Sequence, residues 1–244
     1  MIFTALLIVL AILNNSYAKG NEKSPVSAKL ISAQADISPG QEFYVGILLK
    51  MEDEWHTYWR NAGDAGLATT VDWELPAGFT AGDILWPLPE KDVTSDVVSY
   101  YYDDEVALLT KIKAPEDIPE KIEIKGKVKW LMCKEKCIPG SEEVSLFLVD
   151  GPEARKVSKR HVKMIENSLK SLPVQPDGMK FKAYREDKKI LLRIDTDTDI
   201  LPHVQFYPYD GGIYDDMAAQ PKINIEEQKY LSIPLRDLRL EEPE

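Results

Sequence analysis

Cys133 and Cys137 are the residues of this chain best equipped for covalent chemistry. Both lie in "VKWLMCKEKCIPG", Val128 to Gly140, with three residues between them. A pair so spaced can be a structural disulfide, a metal clip or a dithiol that exchanges electrons. A disulfide holds its Cα atoms roughly 4.4–6.8 Å apart. Residues four apart in a straight strand lie roughly 13 Å apart. A bonded pair therefore requires a bend, and Pro139-Gly140 punctuates the return. Val128 and Trp130 before the bend, and Val144, Leu146 and Leu148 after it, read as the flanking strands.

A bond closing so short a loop removes little entropy from the unfolded chain, so it is a weak staple. A small exposed ring is also easier to reduce. Lys134 and Lys136 favour the reactive thiolate, and Glu135 opposes them. Two sulfurs do not complete a tetrahedral zinc site, and no second C-x-x-C or H-x-x-x-H stands nearby. Cu(I) is less demanding, but Met132 is the next residue in the strand and points to the opposite face. The residues alone leave all three readings open.

Two other segments carry chemistry-bearing side chains. "DEWHTYWRNAGDAGL", Asp53 to Leu67, sets Trp55, Tyr58, Trp59 and Arg60 around two glycines. Trp59 and Arg60 are candidate anchors of a binding surface. The plainer reading has the tryptophans plugging a strand end while Arg60 pairs with Asp64. His56 has no sequence partner that suggests catalysis, and no Ser-His-Asp arrangement supports hydrolysis. "SYYYDDEV", Ser99 to Val106, places Tyr100 and Tyr102 before Asp103 and Asp104. These could cap a dithiol or supply a carboxylate for proton transfer. As a plain structural feature, the run reads as a hairpin tip.

The elements that must position these groups are mostly strands. "AKLISAQADI", "EFYVGILLKM", "TTVDWEL", "EVALLTKIKA", "KIEIKGKVKWLM" and "SEEVSLFLV" are short β-rich runs separated by Pro and Gly. That rhythm predicts an antiparallel sandwich over 19–150. No βαβ alternation or G-x-G-x-x-G is present, which argues against a dinucleotide fold of the Rossmann type. Over 151–176, Val157, His161, Ile165, Leu169 and Leu172 recur at helical spacing and predict a linker helix. Strands return over 177–244, with "REDKK" as a hairpin turn, and predict a second, smaller β unit, truncated or complete.

Net charge is −11 with no basic block, which argues against a nucleic-acid partner. Residues 1–18 read as a secretory signal: the apolar run Ile2 to Leu13 is shorter than the roughly 20 residues of a spanning helix, and Ser16-Tyr17-Ala18 is a small-x-small cleavage site. Export would place both cysteines in an oxidising compartment, where neighbouring thiols form disulfides.

Four motifs in order, "YWRNAGDAGLATTVDWELPAGF", "ILWPLPE", "YYYDDEVALLTKI" and "VKWLMCKEKCIPGSEEVSL", resemble the N-terminal periplasmic domain of DsbD-type thiol:disulfide interchange proteins, especially the ScsB-like branch. The resemblance covers about Ser27 to Val149. It implies an immunoglobulin-like sandwich with a redox-active pair, onto which Cys133 and Cys137 map. It also implies exported thiol or disulfide proteins as partners, a thioredoxin-like electron donor, periplasmic location and no cofactor. Tyr100 to Glu105 occupies a motif position that could shield the pair. The C-x-x-x-C spacing is narrower than in the best-known members. The family's membrane and thioredoxin-like domains are absent from the sequence, so the expected membrane link runs through a missing or separate domain. The alternatives are an interaction module with an inert disulfide, and a copper-handling module suggested by the metal-stress associations of ScsB-like relatives.

Overall fold

Alternating apolar and polar residues sort the side chains of each strand onto two faces, and the apolar faces must meet. In the computed structural model, which describes residues 24–150, 157–197 and 204–236, they meet as an immunoglobulin-like sandwich. One sheet joins β1 (Val26–Ser32), β3 (Glu42–Met51), β9 (Glu105–Lys113) and β6 (Thr80–Leu85), in that order. The facing sheet joins β2 (Asp36–Ile37), β11 (Cys137–Asp150), β10 (Lys121–Cys133) and β5 (Thr70–Glu74). All of these pairs are antiparallel except the short one between β2 and β11. Val45, Ile47, Ile112, Ile122, Ile124, Val128 and Leu148 fill the space between the sheets. Residues 1–18, expected from the sequence to be a secretory signal, lie outside the described residues.

β3 and β9 read as unbroken apolar runs because both of their faces are covered. The outward residues Ile31, Leu48, Ala107 and Leu109 pack beneath α1 (Lys159–Lys170), which buries Ile165 on them. Arg160 pairs with Glu105 at the edge of this contact. The helix is shorter than the sequence pattern suggested. It is seated on the sandwich, because its apolar stripe finds a matching outer face there.

A third sheet joins β4 (Thr57–Gly63), β8 (Val97–Tyr102) and β7 (Glu90–Thr94). The run Ser99 to Val106 is therefore not a hairpin tip. β8 and β9 belong to different sheets, and the Asp103-Asp104 turn carries the chain between them, with Asp104 at φ 48°. A fourth sheet joins β12 (Lys180–Glu186), β13 (Lys189–Asp195), β15 (Gln228–Pro234) and β14 (Lys222–Ile225). "REDKK" forms its first turn, with Glu186 opposite Lys189. Among the described residues, no helix is long and apolar enough to cross a membrane.

The segment before β14 docks this last part of the chain onto the third sheet. Trp59 is 1% exposed and packs edge-on against Tyr100 and Tyr207, with Tyr209 tilted beside it. Asn61 Nδ2 donates to the Pro208 carbonyl at 2.9 Å, and the Tyr100 hydroxyl donates to the buried Asp216 carboxylate at 2.8 Å. Arg236 pairs with Asp64 at 2.8 Å. Arg60 does not pair with Asp64 as the sequence suggested. Its guanidinium lies 4.2 Å from the Tyr209 ring centre.

Candidate functional site

β10 and β11 form one long hairpin whose register ends on Cys133 opposite Cys137. Lys134, Glu135 and Lys136 make the tip, and the two Cα atoms stand 4.1 Å apart across a disulfide. The bend inferred from spacing is thus a hairpin end. The two sulfurs sit in unlike surroundings: Cys133 is 3% exposed, whereas Cys137 is exposed.

The cover over Cys133 comes from β4. The His56 and Cys133 backbones exchange both hydrogen bonds at 3.0 Å, making them direct cross-strand partners. Opposed residues share a face, and so do residues two apart. His56 and Tyr58 therefore stand on the disulfide's side of the sheet. The Tyr58 hydroxyl lies 3.7 Å from Cys137 Sγ, and His56 Nε2 lies 3.2 Å from that hydroxyl. Tyr101 completes the cluster, its ring 5.3 Å from that of His56. The loop after β4 leaves room for the Tyr58 ring only at a glycine. A Cβ on Gly66 would stand 2.5 Å from ring carbons, and its φ of +123° disfavours any other residue.

Burial pushes the His56 pKa down, against the pull of Asp103 and Asp92, so the imidazole is neutral at pH 7. Burial raises the Tyr58 pKa, which keeps its proton in place. With His56 donating from Nε2, the Tyr58 oxygen accepts and its own proton points to Cys137 Sγ. This tautomer satisfies all three groups. Lys134 pairs with Glu54, so much of its charge is directed to that carboxylate.

The sequence-selected residues divide by strand phase. Tyr100 and Tyr102 face inward, at 0% and 6% exposure, and the Tyr102 hydroxyl donates to the Pro87 carbonyl at 2.6 Å. Trp59 is likewise internal, and Arg60 lies against Tyr209. Asp103 and Asp104 are exposed and line an acidic groove of about 490 Å³ with Glu52, Asp53, Glu54 and Asp92, beside His56. Met132 points away from the sulfurs into the core, with Ser24 Oγ 3.7 Å from its sulfur. Among the described residues, no group of three or more His, Cys, Asp or Glu converges on a metal position. His56, Tyr58 and Tyr101 were missed from sequence. The i, i+2 spacing of His56 and Tyr58 was the available signal, but it does not say which strand lies alongside.

The family model for the N-terminal part of the thiol:disulfide interchange protein DsbD matches residues 25–149, about half of the chain and all of the sandwich that carries the pair. The chain belongs to the DsbD N-terminal family. A solved relative of similar fold is the N-terminal periplasmic domain of ScsB from Proteus mirabilis, at 13% identity and TM-score 0.54, covering 87% of this chain and 78% of that one. The N-terminal domain of Neisseria meningitidis DsbD in its reduced form also matches, at 13% identity and TM-score 0.29, covering 52% of this chain and 87% of that one. No curated protein sequence matches. In this DsbD N-terminal domain the cysteines face each other across a hairpin end, with the hydrogen-bonded His56–Tyr58 pair beside the more accessible sulfur.

Proposed function

We propose that the chain is an exported, periplasmic thiol:disulfide exchange module that passes reducing equivalents to partner proteins through Cys133 and Cys137. The observation that carries this reading is the unequal pair: one exposed sulfur under a tyrosine hydroxyl, and one covered sulfur behind it. Family membership supports it. A donor thiolate, from a thioredoxin-like protein, attacks Cys137 Sγ. The Cys133–Cys137 bond breaks, and its electron pair leaves on Cys133, which takes a proton. The donor's second thiol, as thiolate, then attacks its own sulfur in the mixed disulfide and releases Cys137 as a thiolate. The donor has lost two electrons and one proton, and the module has gained them, with the proton on Cys133 and Cys137 left as the thiolate. In the forward step, Cys137 attacks an oxidised exported partner and Cys133 resolves the mixed disulfide.

Tyr58 acts on the Cys137 thiolate, to which a hydrogen bond is stronger than to a neutral sulfur. Tyr58→Phe leaves the ring packing in place and removes only that donor. It is expected to slow alkylation of reduced Cys137 by iodoacetamide at pH 7 about tenfold, the equivalent of about 1.4 kcal/mol. An unchanged rate would remove Tyr58 from the mechanism.

The reading as a whole is tested by mixing the oxidised protein with reduced thioredoxin and alkylating free thiols at intervals. Transfer of two electrons per chain is expected. An intact Cys133–Cys137 bond beside unconsumed thioredoxin would contradict it.

A further inference from the structure

The face of the sheet that bears the disulfide continues beyond it, and its composition there is unlike the rest of the surface. Along β10 and β11 the register steps from Cys133–Cys137 to Leu131–Pro139 and then to Lys129–Ser141, all on the outer face because Met132, Trp130 and Val128 point inward. Leu67 stands beside this strip at 66% exposure, carried by the loop whose Ala68 bridges to Tyr58. Together they border a shallow depression of about 780 Å³, floored by Trp130 and Gly140. No Cβ fits at Gly140, since it would stand 2.5 Å from the Trp130 indole nitrogen. Gly140 is the cross-strand partner of Trp130, so this close approach lets the indole pack beneath the strip on the inner face. On the other flank of the disulfide lies the acidic groove.

We propose that Leu67, Leu131 and Pro139 form a docking platform for a thiol protein whose surface beside its reactive cysteine is apolar. The proposal rests on the exchange reading and adds the chemistry of the partner's face. A macromolecule that reaches Cys137 Sγ from the open side of the sheet must cover the next pair on that face, and that pair is Leu131–Pro139. Exposed Leu67 and Pro139 and half-buried Leu131 are desolvated favourably only against apolar surface. A second copy of this chain fits poorly. It would bring another net charge of −11, with its own acidic groove, against the first.

Rates of exchange with reduced thioredoxin and with reduced glutathione separate platform from chemistry. Glutathione is too small to span both the sulfur and the strip. Leu67→Asn, at an exposed position, and the double variant Leu67→Asn/Leu131→Asn are compared with Glu52→Gln on the opposite flank. The double variant is expected to lose roughly tenfold or more in the second-order rate with thioredoxin. Leu67→Asn alone should show a smaller loss in the same direction. Glutathione rates should stay within about twofold, and Glu52→Gln should leave both rates unchanged. Equal thioredoxin rates in wild type and both leucine variants would overturn the platform while leaving exchange intact. So would a wild-type dimer in sedimentation that Leu67→Asn dissociates, since the occupant would then be a second copy. Failure of the wild type to react with either thiol would overturn the exchange reading, and the platform with it.

Discussion

Cys137→Ser is expected to lose disulfide exchange by more than about a thousandfold, because it removes the sulfur that a partner can reach. Cys133→Ser is expected to behave differently. Its Cys137 remains exposed, keeps the Tyr58 hydroxyl beside it and can attack, but no second sulfur of the chain resolves the product. The reduced Cys133→Ser protein should therefore accumulate a stable one-to-one mixed disulfide with a single-cysteine thioredoxin activated as its thionitrobenzoate disulfide, readable by mass. Reduced Cys137→Ser should form almost none, since Cys133 is 3% exposed and lies behind His56. Both substitutions delete one sulfur and open the same ring, so a loss of fold would affect them alike. The contrast between them reports accessibility rather than stability. Equal trapping by both variants would show that the hairpin end opens before reaction, and the assignment of Cys137 as the attacking sulfur would fall.

The largest effect on stability is expected at a residue that reads from sequence as a surface anchor. Trp59→Ala should cost about 3–5 kcal/mol of unfolding free energy, measured as a shift in urea midpoint at unchanged slope. The indole is 1% exposed and is enclosed by Tyr100, Tyr207 and Tyr209. Among the described residues its Nε1 has no hydrogen-bond acceptor, so the loss is one of packing and of the cavity left behind. A domain of ordinary stability holds about 5–15 kcal/mol in total, so the variant would sit near the edge of folding. Trp59→Phe keeps an aromatic ring between the tyrosines and should recover more than half of the loss. A cost below about 1 kcal/mol for the alanine variant would mean that the 207–209 segment does not pack on the third sheet in solution.

Much of the architecture was legible because it follows from local rules. Alternation marked the strands of the sandwich, and the spacing of His161, Ile165 and Leu169 marked the helix. The four-residue separation of the cysteines required a bend, which the structure supplies as the hairpin end. What was not legible depends on which distant strands become neighbours. Cys133 is covered by His56 because the start of β4 lies beside the end of β10, a pairing that no pattern within either segment encodes. In "SYYYDD", strand alternation requires the tyrosines to divide between two faces, but the phase was unspecified. Val98 and Trp59 fix it by filling the core, which draws Tyr100 and Tyr102 inward and leaves Tyr101 against His56. Asp64 was paired with its near neighbour Arg60, whereas the structure joins it to Arg236, 172 residues away, because Arg60 stacks on Tyr209. Helix periodicity showed an apolar stripe, but only the folded outer face of β3 and β9 shows what that stripe covers.

The central claim is that the Cys133–Cys137 bond is an exchangeable couple rather than a staple, and its equilibrium potential tests this most directly. Titrating the protein in a dithiol redox buffer at pH 7, with alkylation to count free thiols, is expected to give a two-electron midpoint above about −300 mV, in the region of dithiols that exchange. A midpoint well below that value would mark the bond as structural and would contradict the account.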